Sequence, residues 1–297
     1  MGRRITVIGL GLMGGGLARR LASCDFEVHG FDPNETALTA AQSAAVTPHE
    51  SARQAASISG VVLTSLPTPE SLLDTYTISD QGILGHAFKQ IFIDVSSVDP
   101  GTSLELERRV TDSGSLFIAC PLGKGPAQAA TGESPLFIGG DMRAVGEVED
   151  VFDTIGQSRY YLGDVQAAAT FKLVSNMMAF ANLAALCEGY LLACRAGIDP
   201  QVFAEAITDT GGMSYQAAVR LPAIIDSDFR PRFRVDLARK DLRLGVDVAA
   251  RWAIPVPVTA AALQTLALTS AAGYGGNDAA AMILAIAGSK TTEGAAN

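Results

Sequence analysis

The run RITVIGLGLMGGGLARRL, residues 4–21, constrains the fold more than any other stretch, because a short apolar strand turns through glycines directly into a helix. Gly9, Gly11 and Gly14 stand in G-x-G-x-x-G spacing. Each has a steric reason to be glycine. Gly9 permits a tight turn, Gly11 lets a pyrophosphate reach the backbone, and Gly14 lets helix and strand pack closely. The positive end of the helix then faces the phosphates. The pattern alone is weak; a strand before it and a helix after it make it informative. Leu10, Leu12 and Met13 lie inside the turn and join the three glycines as candidate cofactor-binding residues.

Asp32 ends the next apolar run, FEVHGFD, 18 residues after Gly14 (32 − 14), close to the separation of about 20 expected for a ribose-binding acid. A carboxylate there accepts hydrogen bonds from ribose hydroxyls and repels a 2′-phosphate. The residues that follow, Pro33 and Asn34, supply no cation. The expected cofactor is therefore NAD in preference to NADP.

Six more apolar runs read as strands. They are FEVHGF, GVVLTSL, QIFIDVS, SLFIAC, PLFIGG and RYYLG, separated by helical patterns of α/β length. RITVIG and the first five of these, being almost continuously apolar, suggest parallel strands covered on both faces, and RYYLG adds one more. After Gly163 the character changes. From Val165 to about Ala196 nothing breaks a helix and apolar residues occur nearly all round it, which predicts burial on most sides. Further helices are expected in PQVFAEAITD, SYQAAVRLPAIID, FRVDLARKDLRLGVDVAARWA and the alanine-rich 257–287. The expected fold is α/β, with a doubly wound Rossmann-type parallel sheet domain over 1–162. An all-α C-terminal domain follows over 163–290, joined to it by the long helix. The last residues, TTEGAAN, read as a frayed tail.

Composition narrows the function. A net charge of −9 over 297 residues argues against a nucleic-acid surface, which needs a clustered basic face. Cys24, Cys120, Cys187 and Cys194 are scattered without metal spacing and read as reduced, mostly packed thiols in a cytoplasmic protein. His29, His49 and His86 form no ligand cluster, so no metal is expected. The MGRRIT start imitates a lipidation signal, but a first strand entering a glycine turn explains it better. The apolar MMAFANLAALCEGYLLACRAG contains Asn182, Glu188 and Arg195, so a buried helix is preferred to a membrane span.

Five ordered motifs give the chain a resemblance to the β-hydroxyacid dehydrogenase family, of the 3-hydroxyisobutyrate dehydrogenase type, over nearly its whole length. GLGLMGG looks like the family's G-L-G-x-M-G. SLPTPES, with Leu66 and Pro67, is similar to its L-P loop on the nicotinamide side, and IDVSSVDP, with Ser96 and Ser97, to its D-x-S-T-x-x-P segment. FKLVSNMM carries a K-x-x-x-N pair as Lys172 and Asn176, and DLARKDL a K-D pair as Lys240 and Asp241. The resemblance implies that Ser96 contacts the nicotinamide ribose or the substrate carboxylate, that Lys240 lies near the cofactor or substrate, and that the protein is a homodimer or homotetramer. An Asp236–Lys240 surface pair on the same helix is the alternative for Lys240. Ser214, in GGMSYQ, is a further substrate-pocket candidate.

The loop CPLGKGPAQAATGE, residues 120–133, departs from the family pattern. Where the family has serine and then glycine, this chain has Gly123 and Lys124, and the loop 121–127 is similar to the P-x-G-R-T of the sulfolactaldehyde reductase branch. The family's loop offers backbone N–H groups to the acidic end of the substrate, here from Gly123 and Gly125. Lys124 is expected to add a charge-assisted contact to a small anion.

Hydride transfer between nicotinamide and an alcohol needs a group to take or give the hydroxyl proton. Lys172 is the candidate, since desolvation on an apolar helix lowers an ammonium's pKa toward the working range of a general acid/base. Asn176, one turn on, shares its face and is placed to orient substrate or lysine. Without the resemblance this pair reads as an ordinary polar stripe. The resulting expectation is an NAD-dependent oxidoreductase interconverting a small 3-hydroxy acid and its semialdehyde or aldehyde partner, with Lys172 as acid/base. The alternatives are a reductase of sulfolactaldehyde or succinic semialdehyde, an imine reductase, and a non-catalytic NAD-binding protein. Lys172 counts against the last two.

Overall fold

The structure, a computed structural model, describes residues 2–77, 79, 81–85 and 89–288. His86 and the expected frayed tail lie outside the described residues. Contacts divide the chain into two compact units, 1–172 and 173–297.

The first unit alternates strands and helices: β1 (Arg4–Ile8), α1 (Leu12–Ala22), β2 (Glu27–Phe31), α2 (Glu35–Gln42), β3 (Thr47–Pro48), α3 (Ala52–Ala56), β4 (Val61–Thr64) and α4 (Pro69–Thr75). It continues with β5 (Ile91–Asp94), α5 (Pro100–Asp112), β6 (Leu116–Ala119), α6 (Pro126–Thr131), β7 (Ser134–Gly140), α7 (Met142–Glu147), α8 (Glu149–Ile155) and β8 (Gly156–Gly163). The strand order is β3-β2-β1-β4-β5-β6-β7-β8. Succession therefore reverses at β1, where the sheet grows first to one side and then to the other.

Strand periodicity explains the continuous apolar runs. Val61 and Leu63, Ile91 and Ile93 pack on one face with Leu17 and Leu21 of α1 and Phe152 of α8. Val62 and Phe92, between them, pack on the other with Leu72 of α4 and Leu106 of α5. Both faces are thus buried, as the sequence predicts.

The sheet is not parallel throughout, however. β7 runs antiparallel to β6, pairing Ile118 with Gly140 and Ala119 with Gly139. The chain between them folds back on itself, with Leu122 bridging antiparallel to Leu136, so no crossover of the parallel kind forms. β3, only two residues long, carries no apolar run to announce it.

The division after Lys172 lies beyond the position read from composition, since Val165 and Ala168 of the long helix still belong to the sheet's apolar cluster. That helix, α9 (Val165–Arg195), is continuous. It is long and apolar enough to cross a membrane by length and composition, and 39% of its most apolar window is buried. The expected burial on most sides is thus not reached among the described residues. Met178 is 63% and Leu192 71% exposed.

The second unit continues with α10 (Pro200–Thr208), α11 (Tyr215–Ile225), α12 (Val235–Arg251), α13 (Pro257–Thr269) and α14 (Met282–Ala287). Its core joins Leu183 and Cys187 of α9 to Leu221, Leu242, Leu266 and Met282. The alanine-rich 257–287 is not one helix. Gly273 takes φ +92, in the left-handed region, and Asp278 starts a new turn by accepting the Ala280 N–H. All four cysteines are free; Cys120 and Cys187 are buried and Cys194 is exposed.

Candidate active site

At the carboxyl end of β1 the glycine turn has the predicted steric logic. Gly9 sits at φ +89, and a Cβ there would lie 2.3 Å from Ser65 O. A Cβ at Gly14 would lie 2.0 Å from Gly9 O. At Gly11, by contrast, a Cβ would meet nothing within 4 Å, so open space lies in front of this backbone. No side chain caps α1, whose first N–H groups have no intrahelical acceptors. An open glycine face beneath an uncapped helix start fits a pyrophosphate. Leu10, Leu12 and Met13 belong to this turn.

Asp32 follows β2. Its Oδ2 accepts Leu10 N–H at 2.7 Å and its Oδ1 accepts Asn34 N–H at 2.8 Å, so the carboxylate holds the turn in shape. Each oxygen has a second lone pair for a ribose hydroxyl. Glu35 opens α2 three residues on and adds negative charge.

Leu66 and Pro67 follow β4, and Ser96 follows β5. Ser96 Oγ donates to Asp94 Oδ1 at 2.7 Å and accepts Leu66 N–H at 2.9 Å. Its one proton is committed within the protein, a use that the sequence reading does not foresee.

The 120–133 loop lies along β7. Gly123 N–H donates to Pro135 O at 2.8 Å, and a Cβ at Gly123 would lie 2.5 Å from Pro135 Cγ. This approach explains the absence of the serine that the family pattern has here. It also corrects the expectation that the Gly123 N–H is offered to a ligand. Gly125 N–H points at Gln128 Oε1, 3.3 Å away. Lys124 is exposed, takes φ +62, and gives one Nζ proton to Glu133 O at 3.2 Å. An ammonium has three donors, so this loop keeps capacity toward an anion in Lys124.

Lys172 ends the first unit and is only 6% exposed. Within the second unit, Asn176 on α9 and Lys240 and Asp241 on α12 come together. Asn176 Nδ2 donates to Asp241 Oδ2 at 2.6 Å. Lys240 Nζ lies 2.9 Å from Asp241 Oδ1, out of line for a hydrogen bond, so charge holds this pair. Asp236, four residues before Lys240, accepts from Ser270 Oγ at 2.6 Å and lies 3.8 Å from Arg239. Ser214 caps α11, accepting Ala217 N–H at 3.1 Å. Asp241 was legible only as half of a motif; nothing in its spacing announces that it fixes the Asn176 amide.

Among the described residues no group of three or more His, Cys, Asp or Glu is placed to hold a metal. A groove within the helical unit, lined by Glu188, Leu191, Leu192, Arg195, Ile286 and Ala287, contains none of the predicted site residues.

Comparison with known proteins gives the arrangement its context. Residues 4–163 match the family model described as the NAD binding domain of 6-phosphogluconate dehydrogenase. Residues 167–286 match the NAD-binding domain of NADP-dependent 3-hydroxyisobutyrate dehydrogenase. The chain is 32% identical to an L-threonate dehydrogenase of Cupriavidus necator, over 95% of this chain and 96% of that one. It is 26% identical to glyoxylate/succinic semialdehyde reductase 2 of Arabidopsis thaliana, over 97% of this chain and 81% of that one. The crystal structure of a 3-hydroxyisobutyrate dehydrogenase from Salmonella typhimurium superimposes with a TM-score of 0.87 at 26% identity, covering 95% and 99% of the two chains. With its glycine turn, its eight-stranded sheet and its helical second unit all accounted for in this way, the chain belongs to the β-hydroxyacid dehydrogenase family of oxidoreductases.

Proposed function

We propose that the protein transfers hydride between NAD and a small anionic 3-hydroxy acid, interconverting the acid with its semialdehyde or aldehyde partner. One observation carries the reading: Lys172, a buried lysine, stands one turn before a buried amide, Asn176, whose orientation Asp241 fixes. When bound, the nicotinamide supplies the hydride acceptor or donor. As the neutral amine Lys172 takes the hydroxyl proton during oxidation, as the ammonium it returns that proton during reduction, and Asn176 holds lysine or substrate in line. Gly9, Gly11 and Gly14 with Leu10, Leu12 and Met13 would cradle the pyrophosphate. Asp32 would accept the ribose hydroxyls, with Leu66, Pro67 and Lys240 toward the other half.

Support for NAD over NADP comes from Asp32 and Glu35, two carboxylates in the run 32–38, which contains no lysine or arginine. Like charge against a 2′-phosphate is costly, so kcat/KM with NAD should exceed that with NADP by about tenfold or more. A panel of short hydroxy acids, read at the nicotinamide absorbance with each cofactor, tests both this and the reaction. Comparable rates with NADP would refute the role given to Asp32.

Lys124 favours an anionic substrate end, and threonate and succinic semialdehyde, named in two relatives, are both short carboxylates. Lys124→Ala should raise KM for a carboxylate substrate by about three- to tenfold, the range of an exposed charge-assisted contact. KM for the neutral methyl ester should not move. Equal effects on both would reduce Lys124 to a loop residue held by Glu133. The same cation supports a second reading, a reductase of succinic semialdehyde or sulfolactaldehyde, which the aldehydes themselves would test in the reverse direction.

The exposed apolar residues of α9, Met178 and Leu192 among them, support a homodimer or homotetramer. Lys172, Asn176, Glu188 and Arg195 on the same helix would be costly in a bilayer.

A further inference from the structure

The carboxyl ends of β4 and β5 carry a buried polar chain for which hydride transfer has no direct use. Thr64, the last residue of β4, donates its hydroxyl to Asp94 Oδ1 at 2.7 Å. With its one proton spent there, it must accept from the Tyr76 hydroxyl in the 2.9 Å contact between them. Burial first, then the charge of Asp94, holds the Tyr76 pKa well above its ordinary value, so that hydroxyl remains a donor. From the other side, Ser96 donates to the same Asp94 oxygen and accepts Leu66 N–H. Two hydrogen-bond chains thus converge on one carboxylate that is 3% exposed.

The second chain ends at the glycine turn. Leu66 follows Ser65, whose N–H donates to Ile8 O at 2.9 Å and whose carbonyl presses on Gly9. Asp32 lies beyond β2 and the pyrophosphate turn beyond β1. A dinucleotide extended along this edge of the sheet runs on over β4 and β5, so its second mononucleotide half meets the loops 65–68 and 95–99.

We propose that Asp94 is a positioning residue that locks these two loops together and so sets how the nicotinamide half is held, without touching it. The inference rests on the dinucleotide part of the proposed function and not on the identity of the substrate. Ser96 then serves first as the link from Asp94 to Leu66.

Thr64, fully buried, cannot reach a ligand, which makes it the cleanest probe. Thr64→Val removes one donor to Asp94 at nearly constant shape, Thr64→Ser keeps it, and Asp94→Asn turns a charged acceptor into a neutral one. The full-length chains are titrated calorimetrically with NADH and with ADP-ribose, and exchange of the Leu66 amide is followed by mass spectrometry. Thr64→Val and Asp94→Asn should weaken NADH by about tenfold, as loss of charge-assisted bonding implies. ADP-ribose, held by the turn and Asp32, should bind as before; Leu66 exchange should quicken; Thr64→Ser should behave as the unaltered chain.

Equal losses of NADH and ADP-ribose would mean general loosening and overturn the proposal. So would unchanged NADH affinity, unchanged Leu66 exchange or failure of serine to rescue. Should Thr64→Val not fold, Asp94→Asn carries the same comparison. An unaltered chain that binds neither ligand would instead overturn the dinucleotide reading itself, with this inference falling alongside it.

Discussion

Replacing Lys172 by alanine is expected to lower kcat by about 10²–10⁴, the usual contribution of a positioned acid/base, while NADH affinity stays nearly unchanged. The expectation follows from where the residue stands. It is 6% exposed on an apolar helix, one turn before the buried amide of Asn176. A lysine with only a structural part would be better placed with its head in water. Lys172→Arg separates the two properties, since guanidinium keeps the charge but cannot be deprotonated in a protein. If proton transfer is the role, arginine should be nearly as inactive as alanine. If charge alone mattered, arginine would retain most of the rate. Single-turnover measurement of hydride transfer checks this, because it reads the chemical step apart from product release. Survival of turnover in Lys172→Ala would end the assignment.

The parts of the molecule legible in sequence are those with a one-dimensional signature. β1, β2 and β4 to β7 were visible because strands covered on both faces are apolar at nearly every position, β8 only as the short run RYYLG although it is not buried, and the glycine turn because steric demands fall at fixed spacing. Strand direction has no such signature. The apolar run Leu136–Ile138 reads the same whichever way it lies, so the antiparallel β7 came only from the structure. The all-round apolarity of α9 was read correctly, but burial is a property of what surrounds a helix, and Met178 and Leu192 stay exposed among the described residues. Of the site, the residues of motifs were named, and their partners were not. The place of Ser96 in a motif says nothing about Leu66 and Asp94, which reach it through strand order. Asp278 drew no notice at all, although Gly273, Gly275 and Gly276 just before it were signals that the alanine-rich stretch breaks there.

Asp278 is the residue whose loss should cost most stability. It is completely buried, and its two oxygens receive a whole junction of the helical unit. Oδ1 accepts from Arg220 Nε at 3.0 Å and Ala280 N–H at 3.1 Å; Oδ2 accepts from Arg232 N–H at 3.2 Å and Phe233 N–H at 2.8 Å. Arg220, itself nearly buried, also donates to Gln216 Oε1. Asp278→Ala strands a buried guanidinium and leaves three backbone donors without an acceptor, so the helical unit should lose about 3–5 kcal/mol. Chemical denaturation followed by circular dichroism would show this as a lower midpoint with little change in slope. The backbone donors make this pair different from an ordinary buried ion pair. Removing both charges usually restores stability, since two desolvated ions are replaced by apolar contacts. Here Arg220→Met added to Asp278→Ala should recover only the part due to the stranded cation. The N–H groups of Arg232, Phe233 and Ala280 would stay unsatisfied, and each costs about 1–3 kcal/mol when buried. A double variant as stable as the parent would mean that water reaches those amides and that the carboxylate serves Arg220 alone.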